Sequence, residues 1–257
     1  MLKRMLVLSL ALLATSLPAQ AGRLLDMEIV DRSSGEVLTP YRHGGQSYVA
    51  GNPGDRYAVR LVNRTGQRVL VVLSVDGVNA VSGETAAPSQ SGYVLDPWGR
   101  TEIAGWRKSM KEIAQFYFTA LPDSYAARTD RPDNVGVIGA AVFREKARPR
   151  PVPPFLSQSA PFGRNESRAS EAADSAAAPT AKAMRESERL GTGHGEREYA
   201  PTQYTEFERA SVSPGEVVSV RYDSRENLAA RGVIPKSQPY WPEPRPFPGR
   251  FVPDPRG

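Results

Sequence analysis

The chain has 257 residues, of which 40% are hydrophobic and 24% are charged, and its formal net charge is +5. It contains no Cys and only 2 His. This excludes a disulfide scaffold and any zinc site that uses Cys or three His ligands. No apolar run after the N-terminal region approaches the ~20 residues that a transmembrane helix needs.

Residues 1–21 are typical of a secretory signal peptide. Two basic residues precede an apolar stretch over residues 5–17, and Ala19 and Ala21 give the small-x-small pattern of a cleavage site. Cleavage would lower the net charge from +5 to +3, and we expect a periplasmic or secreted protein. Because the basic residues are spread along the chain rather than clustered, nucleic acid is not an expected partner.

Short β-rich runs separated by turn residues dominate the first segment, residues 22–146. Apolar residues alternate with charged ones over 25–29 and again over 56–61, which predicts strands with one buried face. Residues 69–75 are nearly all apolar and favour a strand covered on both faces. The Asp76-Gly77 pair that follows predicts a tight hairpin turn.

Four more strands are predicted in this segment, over residues 78–81, 92–95, 100–106 and 135–143. The stretch 108–117 fits both helical and strand spacing, and we expect a short helix that runs into a strand.

Prolines concentrate in two stretches of the chain. Residues 147–188 hold 6 Pro, 10 Ala and 6 Ser, and residues 235–257 hold 8 Pro. Neither stretch has enough apolar side chain to offset the entropy of ordering it. We therefore expect a disordered linker at 147–188 and an extended Pro-rich tail at 235–257.

The second segment, residues 189–234, has strand patterns over 203–208 and 216–222, followed by a short helix with Asp223 as its N-cap. A segment this short without disulfides does not form a stable core alone, so we expect it to pack onto the first segment. The predicted fold is all-β: a single β-sandwich, Ig-like or jelly-roll-like with Greek-key antiparallel strands, and one or two short helices.

Four stretches, residues 69–84, 92–109, 116–143 and 188–235, resemble a family of exported proteobacterial proteins of unknown function. The resemblance covers both segments and omits the linker and the tail. It implies export and a single structural unit. It implies no activity and no site residues.

The two histidines lie in glycine-rich stretches that we interpret as loops, His43 before Gly44-Gly45 and His194 within residues 191–195. Loops often carry function, so His194 beside Glu196 is a candidate ligand contact. The alternative is an incidental exposed histidine in a turn. A phosphate-binding loop at 191–195 is excluded, because no strand precedes it and acidic residues follow it.

Aromatic residues supply the other candidate contacts. Trp98 follows Pro97 in a turn, where it either stacks on a ligand or closes one end of the core. Trp106 lies in an apolar pattern and is expected in the core. In the tail, aromatic residues alternate with Pro, a pattern that favours docking on a partner or on the protein's own sandwich; the candidate contacts there are Tyr240, Trp241 and Phe247.

These features predict a non-catalytic binding or interaction module of the cell envelope, whose partner is a protein or a polysaccharide. We expect no metal, no cofactor and no membrane span. The alternative is a hydrolase that acts on glycans with paired carboxylates. Its acids would come from four positions, Asp76, Glu84, Asp96 and Glu102.

Overall fold

A computed structural model describes residues 24–147 and 189–235. The signal peptide at 1–21, nearly all of the linker at 147–188 and nearly all of the tail at 235–257 lie outside the described residues. The described chain forms two β-sheets with two short helices, which confirms the all-β sandwich. No helix among these residues is long and apolar enough to cross a membrane.

The strands and helices are numbered in chain order. The strands are β1 (Leu25–Asp31), β2 (Tyr41–His43), β3 (Gln46–Gly51), β4 (Arg56–Asn63), β5 (Val69–Val75), β6 (Val78–Asn79), β7 (Tyr93–Leu95), β8 (Arg100–Ile103), β9 (Gly105–Arg107), β10 (Glu112–Ala120), β11 (Val137–Arg144), β12 (Leu190–Tyr199) and β13 (Glu216–Ser224). The helices are α1 (Tyr125–Arg128) and α2 (Arg225–Ala230).

A six-stranded sheet has the order β1-β4-β10-β12, with β8 paired to β4 and β9 paired to β10. A seven-stranded sheet has the order β2-β3-β13-β11-β5-β6, with β7 paired to β5. Neighbouring strands are antiparallel with one exception, the parallel pair β3 and β13. Residues 189–235 therefore add one strand to each sheet, and β13 lies between two strands of the first segment.

The buried side chains alternate along the strands as the sequence predicts. Leu25 and Ile29 of β1 enter the core between the sheets, as do Tyr57 and Leu61 of β4. β5 is buried on both faces: alternate residues enter this core, while Leu70 and its neighbours form a separate cluster on the outer face. The β5–β6 connection is the expected hairpin turn, because Asp76 and Gly77 both adopt positive φ, 53° and 75°.

Three sequence expectations about local structure are wrong. The stretch 108–117 contains no helix; residues 112–120 form β10, because pairing with β9 and β12 outweighs helical spacing. Residues 203–208 form no strand and run as an irregular segment. The N-cap of α2 is Ser224, whose hydroxyl accepts a 3.1 Å hydrogen bond from the amide of Asn227, while Asp223 binds other groups.

The glycine-rich stretch 191–195 is also not a loop, because it lies within β12. Its glycines allow close approach of neighbouring side chains. A Cβ at Gly193 would lie 2.1 Å from the ring of Tyr117, and one at Gly191 would lie 2.5 Å from Ser124. A glycine in a strand pattern can therefore indicate a position where a neighbouring side chain leaves no room for a Cβ, as well as a turn.

Candidate functional site

An irregular segment, residues 200–212, crosses the outer face of the seven-stranded sheet, and we call it the strap. It is tied to the end of β11 by backbone hydrogen bonds of 2.8 Å from Lys146 to Glu208 and 3.0 Å from Ala210 to Arg144. Phe207 packs onto the outer apolar cluster that contains Leu70. The strap therefore explains why β5 is apolar on both faces.

A cleft of about 1170 Å³ opens between the strap, β7 and the connection from β9 to β10. Three cations line it: Arg107, Lys108 and Arg209. Aromatic side chains also line it, together with many Ser and Thr hydroxyls. Among the residues that the structure describes, its lining contains no Asp, Glu or His. The described lining is thus polar and aromatic, and all of its charged residues are positive.

Arg209 is fixed in the wall of the cleft. Its guanidinium donates hydrogen bonds of 2.8 Å and 2.6 Å to the carbonyls of Pro88 and Gln90. The same group lies 4.1 Å from the ring centre of Phe143, a cation–π distance. Burial lowers the pKa of Arg209. Within the described ranges, no carboxylate pairs with this guanidinium.

Two polar groups of the cleft wall, the hydroxyl of Tyr93 and Nε of Arg107, are buried, and the two side chains interact with each other. Burial raises the pKa of Tyr93, and a hydrogen bond with the Arg107 side chain, together with its charge, partly offsets this. Nη1 of Arg107 donates to the carbonyl of Ala200.

A second, shallower pocket of about 640 Å³ adjoins the strap and is lined by Arg68, Glu145, Tyr204, Thr205 and Glu206. Here the positive charge is already balanced, because the guanidinium of Arg68 forms an ion pair with Glu145. This pocket therefore offers less to a charged ligand than the cleft does.

Trp98 lies in the β7–β8 turn with 68% of its surface exposed. Its φ is 58°, which is unfavourable for a bulky side chain, and its amide donates a 3.1 Å hydrogen bond to the carbonyl of Thr65. Trp98 does not line the cleft. Trp106, in contrast, is 2% exposed and belongs to the core, as expected.

His194 lies on β12, with its ring centre 5.2 Å from that of Tyr125 and 6.3 Å from that of Trp106. Burial lowers the pKa of His194, and the cation Lys108 adds to the shift. Glu196 is exposed beside a bulge, where the register of β12 against β10 shifts by one residue. Neither side chain lines the cleft.

The structure does not bring Trp98 and His194 together. Trp98 lies near the Asn63 end of β4, and His194 lies near the Tyr57 end, which places them about 20 Å apart along the strand. Trp98, His194 and Glu196 stay predicted contacts. The other three predicted contacts, Tyr240, Trp241 and Phe247, lie outside the described residues.

The acids proposed for hydrolysis do not converge on the cleft: Asp76, Glu84, Asp96 and Glu102 are all missing from its lining. Asp76 is 0% exposed, and burial raises its pKa to about 6. Glu102 forms a 2.8 Å ion pair with Arg60. Among the residues that the structure describes, no group of three or more His, Asp or Glu is placed to hold a metal ion.

Sequence reasoning missed the cationic lining of the cleft. Arg107 and Lys108 directly follow a buried tryptophan, and a strand that ends in two adjacent cations was the available signal. Arg209 comes from the strap, about a hundred residues later. Pro201 lies at the start of the strap and Pro214 follows its end, and proline is a signal against a regular strand.

Comparison with known proteins does not assign a function. No protein-family model matches the chain, and searches of the curated proteins and of the solved structures return no match.

Proposed function

We propose that this protein is a secreted or periplasmic, non-catalytic binding module of the cell envelope that holds its ligand in the cleft under the strap. The carrying observation is the cleft itself, about 1170 Å³ in volume and lined by aromatic, hydroxyl and cationic side chains. Ligand sites are typically concave, of roughly 300–1,000 Å³, with a few polar groups that orient the ligand. The signal-peptide pattern of residues 1–21 supports export.

The lining of the cleft favours binding over hydrolysis. Glycoside hydrolysis by the usual route needs two carboxylates that flank the bond, and the described part of the cleft lining has none. Within the described ranges, the lining also offers its hydroxyl groups no imidazole or carboxylate that would activate them as nucleophiles. Asp76, one of the four acids considered for hydrolysis, is inaccessible to a substrate because it is fully buried.

A cleft-blocking substitution tests this proposal. Ser211 of the strap is exposed and lines the cleft, whereas Ser213 is exposed two residues later and does not line it. The mature protein is labelled and its binding to isolated envelope polysaccharide and envelope protein fractions is measured. We expect Ser211→Trp to weaken binding about tenfold or more, and Ser213→Trp to bind like the unsubstituted protein.

Two results would overturn the proposal. One is equal binding by Ser211→Trp and Ser213→Trp, which would place the ligand elsewhere. The other is release of sugar or peptide fragments from the bound fraction by the unsubstituted protein, which would show catalysis. Circular dichroism of both variants checks that each keeps the β-sheet fold.

A further inference from the structure

The charge of the cleft identifies the chemistry of its ligand. Several Arg side chains elsewhere in the described chain pair with carboxylates, for example Arg32 with Glu198 at 2.6 Å and Arg60 with Glu102 at 2.8 Å. In the cleft, three cations line the walls, and none of the described lining residues is an acid that would balance them. Since unbalanced cations in a partly desolvated cleft attract anions, the missing negative charge is expected from the ligand.

We propose that the cleft binds an acidic polysaccharide whose sugar carboxylates are recognised by Arg107, Lys108 and Arg209. This inference rests on the proposed binding function and names its ligand class.

Arg209 is already in a fixed position before any ligand arrives. Two backbone carbonyls and the Phe143 ring hold the guanidinium. Because these contacts order the side chain in advance, a ligand would lose less entropy on binding to it. A guanidinium also presents planar N–H donors that match a carboxylate.

Arg107 and Lys108 complete the cationic lining from the other wall. The Arg107 guanidinium donates from Nη1 to the carbonyl of Ala200 and also interacts with the Tyr93 hydroxyl. Lys108 is exposed and forms no ion pair within the described ranges. Lys108 is therefore available to an anionic ligand, and the Arg107 charge adds to the positive potential of the cleft.

Several features favour a sugar chain over a small anion. The cleft is larger than a single anion requires, and hydroxyl side chains are spread over its walls, among them Ser82, Ser89, Ser91, Ser109, Thr202 and Ser211. Tyr204, which also lines it, is 91% exposed and offers a flat ring for stacking against a sugar. A few cations among many hydroxyls match a polymer with one carboxylate and several hydroxyls per sugar.

The protein's own tail does not fit this cleft electrostatically. Residues 236–257 carry four basic and two acidic side chains, so the tail has the same sign of charge as the cleft. Like charges disfavour this contact. An external acidic polymer is the better match.

The test compares two lysines of the same connection. Lys108 lines the cleft, whereas the exposed Lys111 does not. Affinity of the mature protein for polygalacturonate, heparin and neutral dextran is measured by calorimetry at low and moderate salt. We expect polygalacturonate to bind, Lys108→Gln to weaken this binding about fivefold, Lys111→Gln to have no effect, and added salt to weaken it further.

The inference is overturned if Lys108→Gln and Lys111→Gln bind polygalacturonate equally, or if dextran binds as tightly as polygalacturonate. If heparin binds more tightly than polygalacturonate and this binding depends on Lys108, the cleft recognises sulfates rather than carboxylates, which would also overturn the inference. In each case, the proposed function of ligand binding in the cleft stands as long as Ser211→Trp still blocks binding of an envelope fraction. That fraction could contain a protein ligand. If Ser211→Trp has no effect on any ligand, the proposed function fails as well.

Discussion

The hydroxyl of Tyr222 donates a 2.6 Å hydrogen bond to the carboxylate of Asp76, across 146 residues of sequence. The same carboxylate accepts hydrogen bonds from the amides of Thr192 at 2.7 Å and Gly136 at 3.0 Å. Asp76 lies in the β5–β6 turn, whereas Thr192 and Tyr222 belong to β12 and β13. One buried carboxylate therefore joins the two segments of the chain and both sheets.

This carboxylate makes the stability of the fold depend on pH. Burial raises the pKa of Asp76 from 3.8 to about 6 in the folded protein. The folded state therefore holds this proton more tightly than the unfolded state does. The contribution of Asp76 to the free energy of unfolding is full below about pH 4 and falls by about 3 kcal/mol as the pH rises through 6.

Asp76→Asn isolates this effect. Asn has no charge to titrate and tolerates the positive φ of this position. The unfolding free energies of the original protein and the variant are measured by urea titration from pH 4 to 7. As the pH rises, the original protein should lose stability relative to the variant. Other acids, such as Glu198 with its lowered pKa, are present in both proteins, so their pH-dependent contributions cancel when the two free energies are subtracted. A pH-independent difference would contradict the prediction.

The position of β13 between β3 and β11 makes the first segment dependent on the second. A chain that ends at Lys146 lacks both β12 and β13, which exposes the edges of β3, β10 and β11 and part of the core. We expect it to lose cooperative unfolding, as seen by calorimetry, and to bind a hydrophobic dye.

Addition of residues 189–235 as a separate chain provides the matching control for this truncation. If the missing strands are the cause, the added chain should restore part of the cooperative transition. A chain that ends at Lys146 and unfolds in one sharp transition by itself would show that the first segment is self-sufficient.

The alternation of apolar residues predicted most strands correctly because it reflects burial directly. Leu25 and Ile29, for example, follow the period of two that a half-buried strand requires, and the Asp76-Gly77 turn has a backbone requirement that few residue types meet. Prediction failed where tertiary contacts, rather than the local residue pattern, determine the conformation of the chain. The strap is held by contacts with Arg144 and Lys146 that no local pattern reveals.

The cleft was not predictable for a related reason. Arg107 and Arg209 come from different parts of the chain, and only the pairing of the strands and the path of the strap bring them to one cleft. The glycines of β12 were misleading because glycine marks turns more often than crowding. Sequence alone does not show which side chain lies over such a glycine.

Crowding at Gly193 is directly testable. A Cβ there would lie 2.1 Å from the Tyr117 ring, so Gly193→Ala should lower the unfolding free energy by about 2 kcal/mol. In a Tyr117→Ala background, less than half of that loss should remain, because the ring is gone. Gly139→Ala on β11 is the matched control, since a Cβ there meets nothing within 4 Å. An equal loss in both backgrounds would rule out this contact.

Backbone strain separates structure from function at Trp98. Its φ of 58° costs roughly 1 kcal/mol or more for any residue with a Cβ, and glycine avoids this cost. We therefore expect Trp98→Gly to be about 1 kcal/mol more stable than Trp98→Ala in urea unfolding. Equal stability of the two variants would argue against strain.

The same pair of variants tests whether Trp98 contacts a ligand. Because 68% of its surface is exposed, loss of the Trp98 ring removes little buried apolar area, and the fold of both variants should persist. If Trp98 contacts the envelope ligand, both variants should bind envelope fractions several-fold more weakly, although Trp98→Gly keeps the relaxed turn. Unchanged binding by both variants would show that Trp98 does not contact the ligand.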